Sequence, residues 1–181
     1  TPVSGLMELG LATELEQARA LPQQSDQKIP SRLYNGMIHP LRKLRVKGVL
    51  WYQGEGNVGR ANSYRKLFST MIDQWRSAFG YAFPFYYVQI APYQYGETNS
   101  AYLREAQLET MAVPSTGMVV TMDIGNLSDI HPKNKQEVGR RLALWALAND
   151  YGRTIEFSGP IFREALFEDG KARLKFQHTG S

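Results

Sequence analysis

His131 is the side chain in this sequence best matched to moving a proton near neutral pH, because imidazole titrates there without help. Pro132 follows it, which restricts the histidine to extended backbone and itself suits the first position of a helix. The ring is therefore expected beside the N-cap of a helix over 133–149. There the positive end of the helix dipole keeps imidazole neutral and able to accept a proton from a nucleophile. Asp129, two residues earlier, can orient the ring by accepting its Nδ1 proton, as the third member of a Ser-His-Asp triad does. An acid three residues earlier reaches the ring more naturally, but Ser128 stands there. Asp123 or a backbone carbonyl therefore stays open as the support, and Asp129 as a cap of the following helix. His39, before Pro40, and His178 in the tail read as structural.

A second polar cluster, Gln53-Gly54-Glu55-Gly56-Asn57, follows an apolar run. Gln53 can aim its amide at a developing oxyanion, since the glycines permit close backbone approach, or it can be an ordinary loop glutamine. Glu55 can bind substrate hydroxyls or pair with an arginine. A metal site from Glu55, Asp123, Asp129 and His131 is disfavoured: one histidine is available and the spacing fits no metal motif. No metal is expected.

These clusters need a scaffold that delivers them to one rim. Apolar runs over 46–52, 83–90 and 116–122 read as strands, and 160–168 and 171–178 as a hairpin about Asp169-Gly170, two residues that both reach positive φ. Helices are expected over 12–20, 31–41 (through Leu33, Met37 and Leu41), 64–79 and 100–111, the last with Arg104 and Glu105 exposed. Tyr64, Leu67, Phe68, Met71, Ile72, Trp75 and Phe79 paint one face of the longest. Alternating helices and fully apolar strands imply a parallel sheet covered on both faces, a three-layer α/β fold. Ligands of such sheets sit beyond the carboxyl ends of the strands, where Gln53, Asp123 and the loop to His131 all fall.

With 181 residues and 43% hydrophobic content the chain can bury one core. Its apolar runs are interrupted far short of the ~20 residues a membrane span requires, so none is expected. The opening residues, Thr1 to Glu8, carry no basic start followed by an apolar core, so no secretory signal is visible, although one could have been removed. The absence of cysteine excludes disulfides and a thiol nucleophile. The net charge of +4 comes from scattered basic residues without the stripe that nucleic-acid binding uses.

Three ordered motifs carry a family likeness: Leu33-Tyr34-Asn35-Gly36-Met37-Ile38-His39-Pro40-Leu41, Trp51-Tyr52-Gln53-Gly54-Glu55-Gly56-Asn57 and Asp129-Ile130-His131-Pro132-Lys133-Asn134-Lys135. Supported by Leu103-Arg104-Glu105-Ala106-Gln107, they resemble the sialate O-acetylesterases over about residues 30–150. The resemblance implies a flavodoxin-like SGNH hydrolase that removes acetyl groups from sugar hydroxyls without a cofactor. His131 is then the general base, Asp129 or Asp123 its support and Gln53 an oxyanion donor, with Gly54, Glu55 and Asn57 against the substrate. Acetylated carbohydrate is the implied partner, and export to the periplasm or beyond the implied location.

The family's serine lies in a Gly-Gln-Ser-Asn type motif on an early strand, and no such motif occurs here. Ser4 and Ser31 lack that setting, and Gly56 stands where the family usually has serine. Three parts are expected: a lead segment over 1–30, a partial SGNH core over 31–152 lacking its first strand, and the start of an antiparallel β module over 153–181. A fragment of that kind would expose a sheet edge and self-associate or bind its missing half. Two alternatives remain: a non-catalytic carbohydrate-binding lobe, with Trp51, Tyr93 and Tyr95 stacked on pyranose rings, and an acetylxylan-type esterase.

Overall fold

The computed structural model describes residues 29–180, together with Met7, Leu9, Gly10, Ala12, Thr13 and Glu16. The helix expected over 12–20 lies outside the described residues, apart from Ala12, Thr13 and Glu16, which are helical. Three short strands, β1 (Val49–Trp51), β2 (Phe85–Val88) and β3 (Thr116–Val119), form a parallel sheet in the order β1-β2-β3. Between them run helices α1 (Ala61–Phe79) and α2 (Ala101–Glu109), and α3 (Lys135–Asn149) follows β3. A separate antiparallel pair, β4 (Ile161–Glu168) and β5 (Lys171–Gln177), ends the described chain. All four residues of β2 are buried, so both faces of that strand are covered, as a three-layer α/β arrangement requires. Among the described residues no helix is long and apolar enough to cross a membrane.

Contacts divide the chain into two compact units, residues 1–49, 54–85 and 95–116, and residues 50–53, 86–94 and 117–181. In the first, Tyr64, Phe68, Met71, Ile72 and Trp75 of α1 are buried at the predicted spacing, and Phe68 and Trp75 meet Phe85 edge-on at 5.8 and 6.2 Å. Gly80 stops α1 in the left-handed conformation (φ 79°), its N–H donating to the carbonyls of Arg76 and Ser77. Arg76 donates to the carbonyls of Phe83 (2.8 and 3.0 Å) and Ser115 (3.0 Å), so one guanidinium ties the end of α1 to the entries of β2 and β3. Arg104 on α2 is half-buried rather than exposed, and it donates to Ser100 Oγ (2.8 Å).

The helix expected over 31–41 is present but irregular, and its buried side is not the apolar spacing through Leu33, Met37 and Leu41. A π-helical turn, Tyr34–Ile38, passes directly into a 3-10 turn, His39–Lys43, because Pro40 has no N–H to continue an α-helical ladder. Leu33, Met37 and Leu41 are exposed, and Tyr34 is the residue buried.

In the second unit, Trp145 of α3 lies against Tyr86 (6.0 Å) and packs over Gly117, where any Cβ would collide with the indole. Tyr86 Oη donates to Asp150 Oδ2 (2.7 Å) at the end of α3. The hairpin turn is as read: Asp169 and Gly170 sit at φ 51° and 70°.

Candidate active site

Gln53, Tyr52 and Trp51 are half-buried at the end of β1. The ammonium of Lys135, the first residue of α3, stands 4.7 Å over the Tyr52 ring. That contact brings the start of α3 to the strand end that carries Gln53. Gly54, Glu55 and Asn57 fall in the first unit, where Asn57 N–H donates to Gly54 O (2.7 Å) and a 3-10 helix runs Glu55–Arg60. A Cβ at Gly56 would meet nothing within 4 Å, so no steric demand of the described residues calls for glycine there.

The loop from β3 to α3 is built from local hydrogen bonds. Gly125 lies so close to Pro92 that a side chain there would strike the proline ring, and Gln94 N–H donates to Leu127 O (2.9 Å). Asn126 Oδ1 accepts from Ser128 N–H (2.9 Å) and Oγ (2.8 Å), closing an Asx turn. Asp129 Oδ1 then accepts the His131 N–H (2.9 Å), and Pro132 is fully buried.

These bonds leave the His131 side chain 87% exposed, with Nδ1 at 4.0 Å from Asp129 Oδ1. That distance is close enough for charge to act but too long for a hydrogen bond. Of the two candidate acids, Asp123 has both oxygens taken by Arg141 (2.7 and 2.6 Å), and that guanidinium holds its carboxyl down to about 2.

One expectation about His131 is corrected. The N-cap of α3 is Asn134, whose Oδ1 accepts Glu137 N–H (3.1 Å); neither His131 nor Asp129 caps the helix. His131 precedes that cap by three residues and lies outside the first turn of α3.

His39 and His178 have packing partners: His39 meets the Tyr34 ring edge-on at 6.2 Å. His178 stands 3.3 Å from Glu156 Oε2 and 4.5 Å from the Phe157 ring, which itself packs on Trp145. Tyr93 and Tyr95 are half-buried. Among the described residues no group of three or more histidines or acids is gathered to hold a metal ion.

Two features of the site lie beyond the residues predicted from the sequence: the Asn134 cap and the grip of Arg141. The first was visible as an asparagine followed three residues later by glutamate, the pattern of a capping box.

Residues 16–148 match the family model described as carbohydrate esterase, sialic acid-specific acetylesterase. Curated relatives include the sialate O-acetylesterase of Mus musculus, 33% identical over 171 residues, 81% of this chain and 32% of that protein. That of Rattus norvegicus is 35% identical over 154 residues, 72% of this chain and 28% of that protein. Among solved structures, a carbohydrate acetylesterase from Xanthomonas citri shares 48% identity at a TM-score of 0.81, covering 86% of this chain and 38% of that one. The chain thus spans about a third of the length of the relatives it matches. It belongs to the carbohydrate esterase family of sialic acid-specific acetylesterases.

Proposed function

We propose that the protein carrying this chain hydrolyses acetyl esters on sugar hydroxyls, with His131 as general base. The observation that carries the reading is an exposed histidine 4.0 Å from an aspartate, on a loop beyond a strand of the parallel sheet, in a chain of this family. In the proposed reaction a serine hydroxyl, which no motif of this chain supplies, attacks the acetyl carbonyl while His131 Nε2 takes its proton. The tetrahedral oxyanion is met by donors that include the Gln53 amide. Collapse expels the sugar oxygen, which His131 protonates. Water, deprotonated by His131, then releases acetate and restores the serine. Asp129 supports the imidazolium, and Gly54, Glu55 and Asn57 contact the sugar.

Residues 31–152 are read as part of an SGNH core and 153–181 as the opening of a β module. Family likeness further supports export from the cytoplasm, and the chain alone is expected to self-associate or to bind a further segment.

The test is acetate release from O-acetylated sialic acid, acetylated xylan and p-nitrophenyl acetate by the full-length protein and its His131→Ala variant. Loss of at least about 100-fold in kcat supports the base assignment. Full activity in the variant removes it. No turnover of any ester by the wild type, with binding of the sugars retained, replaces the esterase by a carbohydrate-binding lobe.

A further inference from the structure

The loop that carries Asp129 and His131 leaves β3 after Val119 and enters α3 at Lys135, and one side chain grips both of its ends. Arg141, from within α3, donates through Nη1 to the carbonyl of Val120 (2.7 Å) and to Asp123 Oδ1 (2.7 Å), and through Nη2 to Asp123 Oδ2 (2.6 Å). Its Nε donates to Glu137 Oε1 (2.8 Å) in the first turn of α3. Glu137 is also the residue whose N–H Asn134 caps, and Arg140 braces the same carboxylate (2.7 Å at both oxygens). The exit from the sheet and the entry to the helix are thereby tied to a single planar group.

We infer that Arg141 is a positioning residue for His131, holding the ends of the 120–134 loop at a fixed separation so that the ring stays where its proton is needed. The inference rests on His131 being the base. An exposed ring with its nearest acid at 4.0 Å has little packing of its own to place it, so its position derives from the anchors of its loop. The Arg141 side chain is only 24% exposed, and its bonds to two carboxylates and a carbonyl form a network rather than an isolated surface pair. Lysine could not reproduce this, because a single ammonium lacks the planar fork that serves Asp123 bidentately while reaching Glu137. The carboxyls of Asp123 and Glu137, both held down to about 2, are anionic throughout the range in which an esterase works.

The experiment compares Arg141→Met, Arg141→Lys and His131→Ala in the full-length protein, reading kcat and KM on p-nitrophenyl acetate and peptide-level amide hydrogen exchange. Methionine keeps the aliphatic stem and removes every donor. Arg141→Met is expected to lower kcat about 10- to 100-fold with KM within about 2-fold of wild type. Exchange should quicken in peptides covering 121–134 and stay unchanged over α1 and α2, with Arg141→Lys between methionine and wild type. Wild-type kcat or wild-type loop exchange in Arg141→Met overturns the inference. So does a loss of activity accompanied by faster exchange throughout the chain, which marks general destabilisation. If His131→Ala is inactive while Arg141→Met is fully active, only the positioning role falls. If His131→Ala is fully active, the base assignment falls with it.

Discussion

At the scale of the residue, the Asp129 carboxylate stands near two groups of His131. Its Oδ1 accepts the His131 N–H at 2.9 Å, which shapes the turn, and the same oxygen is 4.0 Å from Nδ1. Asparagine at this position keeps an acceptor for the backbone bond and loses the charge. Asp129→Asn is therefore expected to retain the loop and lower kcat by up to about 10,000-fold, as loss of a triad acid does. Wild-type kcat in a folded Asp129→Asn protein would return the role to a backbone carbonyl. Asp123 is the poorer candidate because Arg141 already occupies both its oxygens. Asp129 and His131 were both legible as candidates because they lie within three residues of each other, although an acid three positions earlier would reach the ring more naturally. Sequence spacing was silent on Arg141, whose partner Asp123 lies 18 residues away and is brought near by the folding of α3 onto β3. Pro132, whose fixed φ suits a helix start, is instead buried ahead of the Asn134 cap.

At the scale of the element, the three apolar runs each contain a strand, but the strands are shorter than the runs. The run over 83–90, for instance, holds β2 only at Phe85–Val88, though Phe83 and Ile90 are buried too. Apolar character reports burial and pairing reports partners, so the first overreaches the second. The helix expected over 31–41 forms as π and 3-10 turns about Pro40, with Leu33, Met37 and Leu41 left exposed. Where α3 meets the sheet the packing is tight enough to test. Gly117→Ala drives a methyl into the Trp145 ring and is expected to cost about 1–3 kcal/mol, read as a lowered midpoint in urea. A neutral result would mean that α3 shifts without penalty.

The Tyr86–Asp150 bond offers a second test on the same helix. Burial, then the hydrogen bond and charge of Asp150, raise the Tyr86 phenol above its usual value. A raised phenol favours the fold below the unfolded value of about 10, and that contribution is lost as pH climbs above it. Tyr86→Phe should be less stable by about 1 kcal/mol at pH 7 and should lose stability less steeply above about pH 10. Parallel curves for the two proteins across that range would show that the phenol contributes nothing to the alkaline transition.

At the scale of the whole molecule, two surfaces that the described residues leave uncovered are expected to favour association. β1 ends the sheet order, no described strand pairs on its outer side, and Leu50 at its centre is 63% exposed. Such an edge is a template for another strand. The β4–β5 hairpin presents a second surface. Its register pairs Phe162 with Phe176, Ala165 with Leu174 and Phe167 with Ala172, while Glu164 pairs with Lys175 and Glu168 with Lys171. Because cross-strand partners share a face and neighbours along a strand alternate, one face is apolar throughout, while the other is mixed: it carries a Glu164–Lys175 ion pair at 2.7 Å, but also Leu166 opposite Arg173 and Ile161 opposite Gln177. A two-stranded hairpin is marginal in water by itself, and exposed phenylalanines along one side add a sticky surface to it. The chain on its own is therefore expected to scatter light as dimers or larger species at micromolar concentration. Leu174→Lys with Phe176→Glu should reduce the hairpin's share of that association, and a charged substitution at Leu50 should reduce the share of the sheet edge. A monodisperse monomer in the unsubstituted chain would sink this expectation. Association unchanged by both sets of substitutions would place the contact elsewhere.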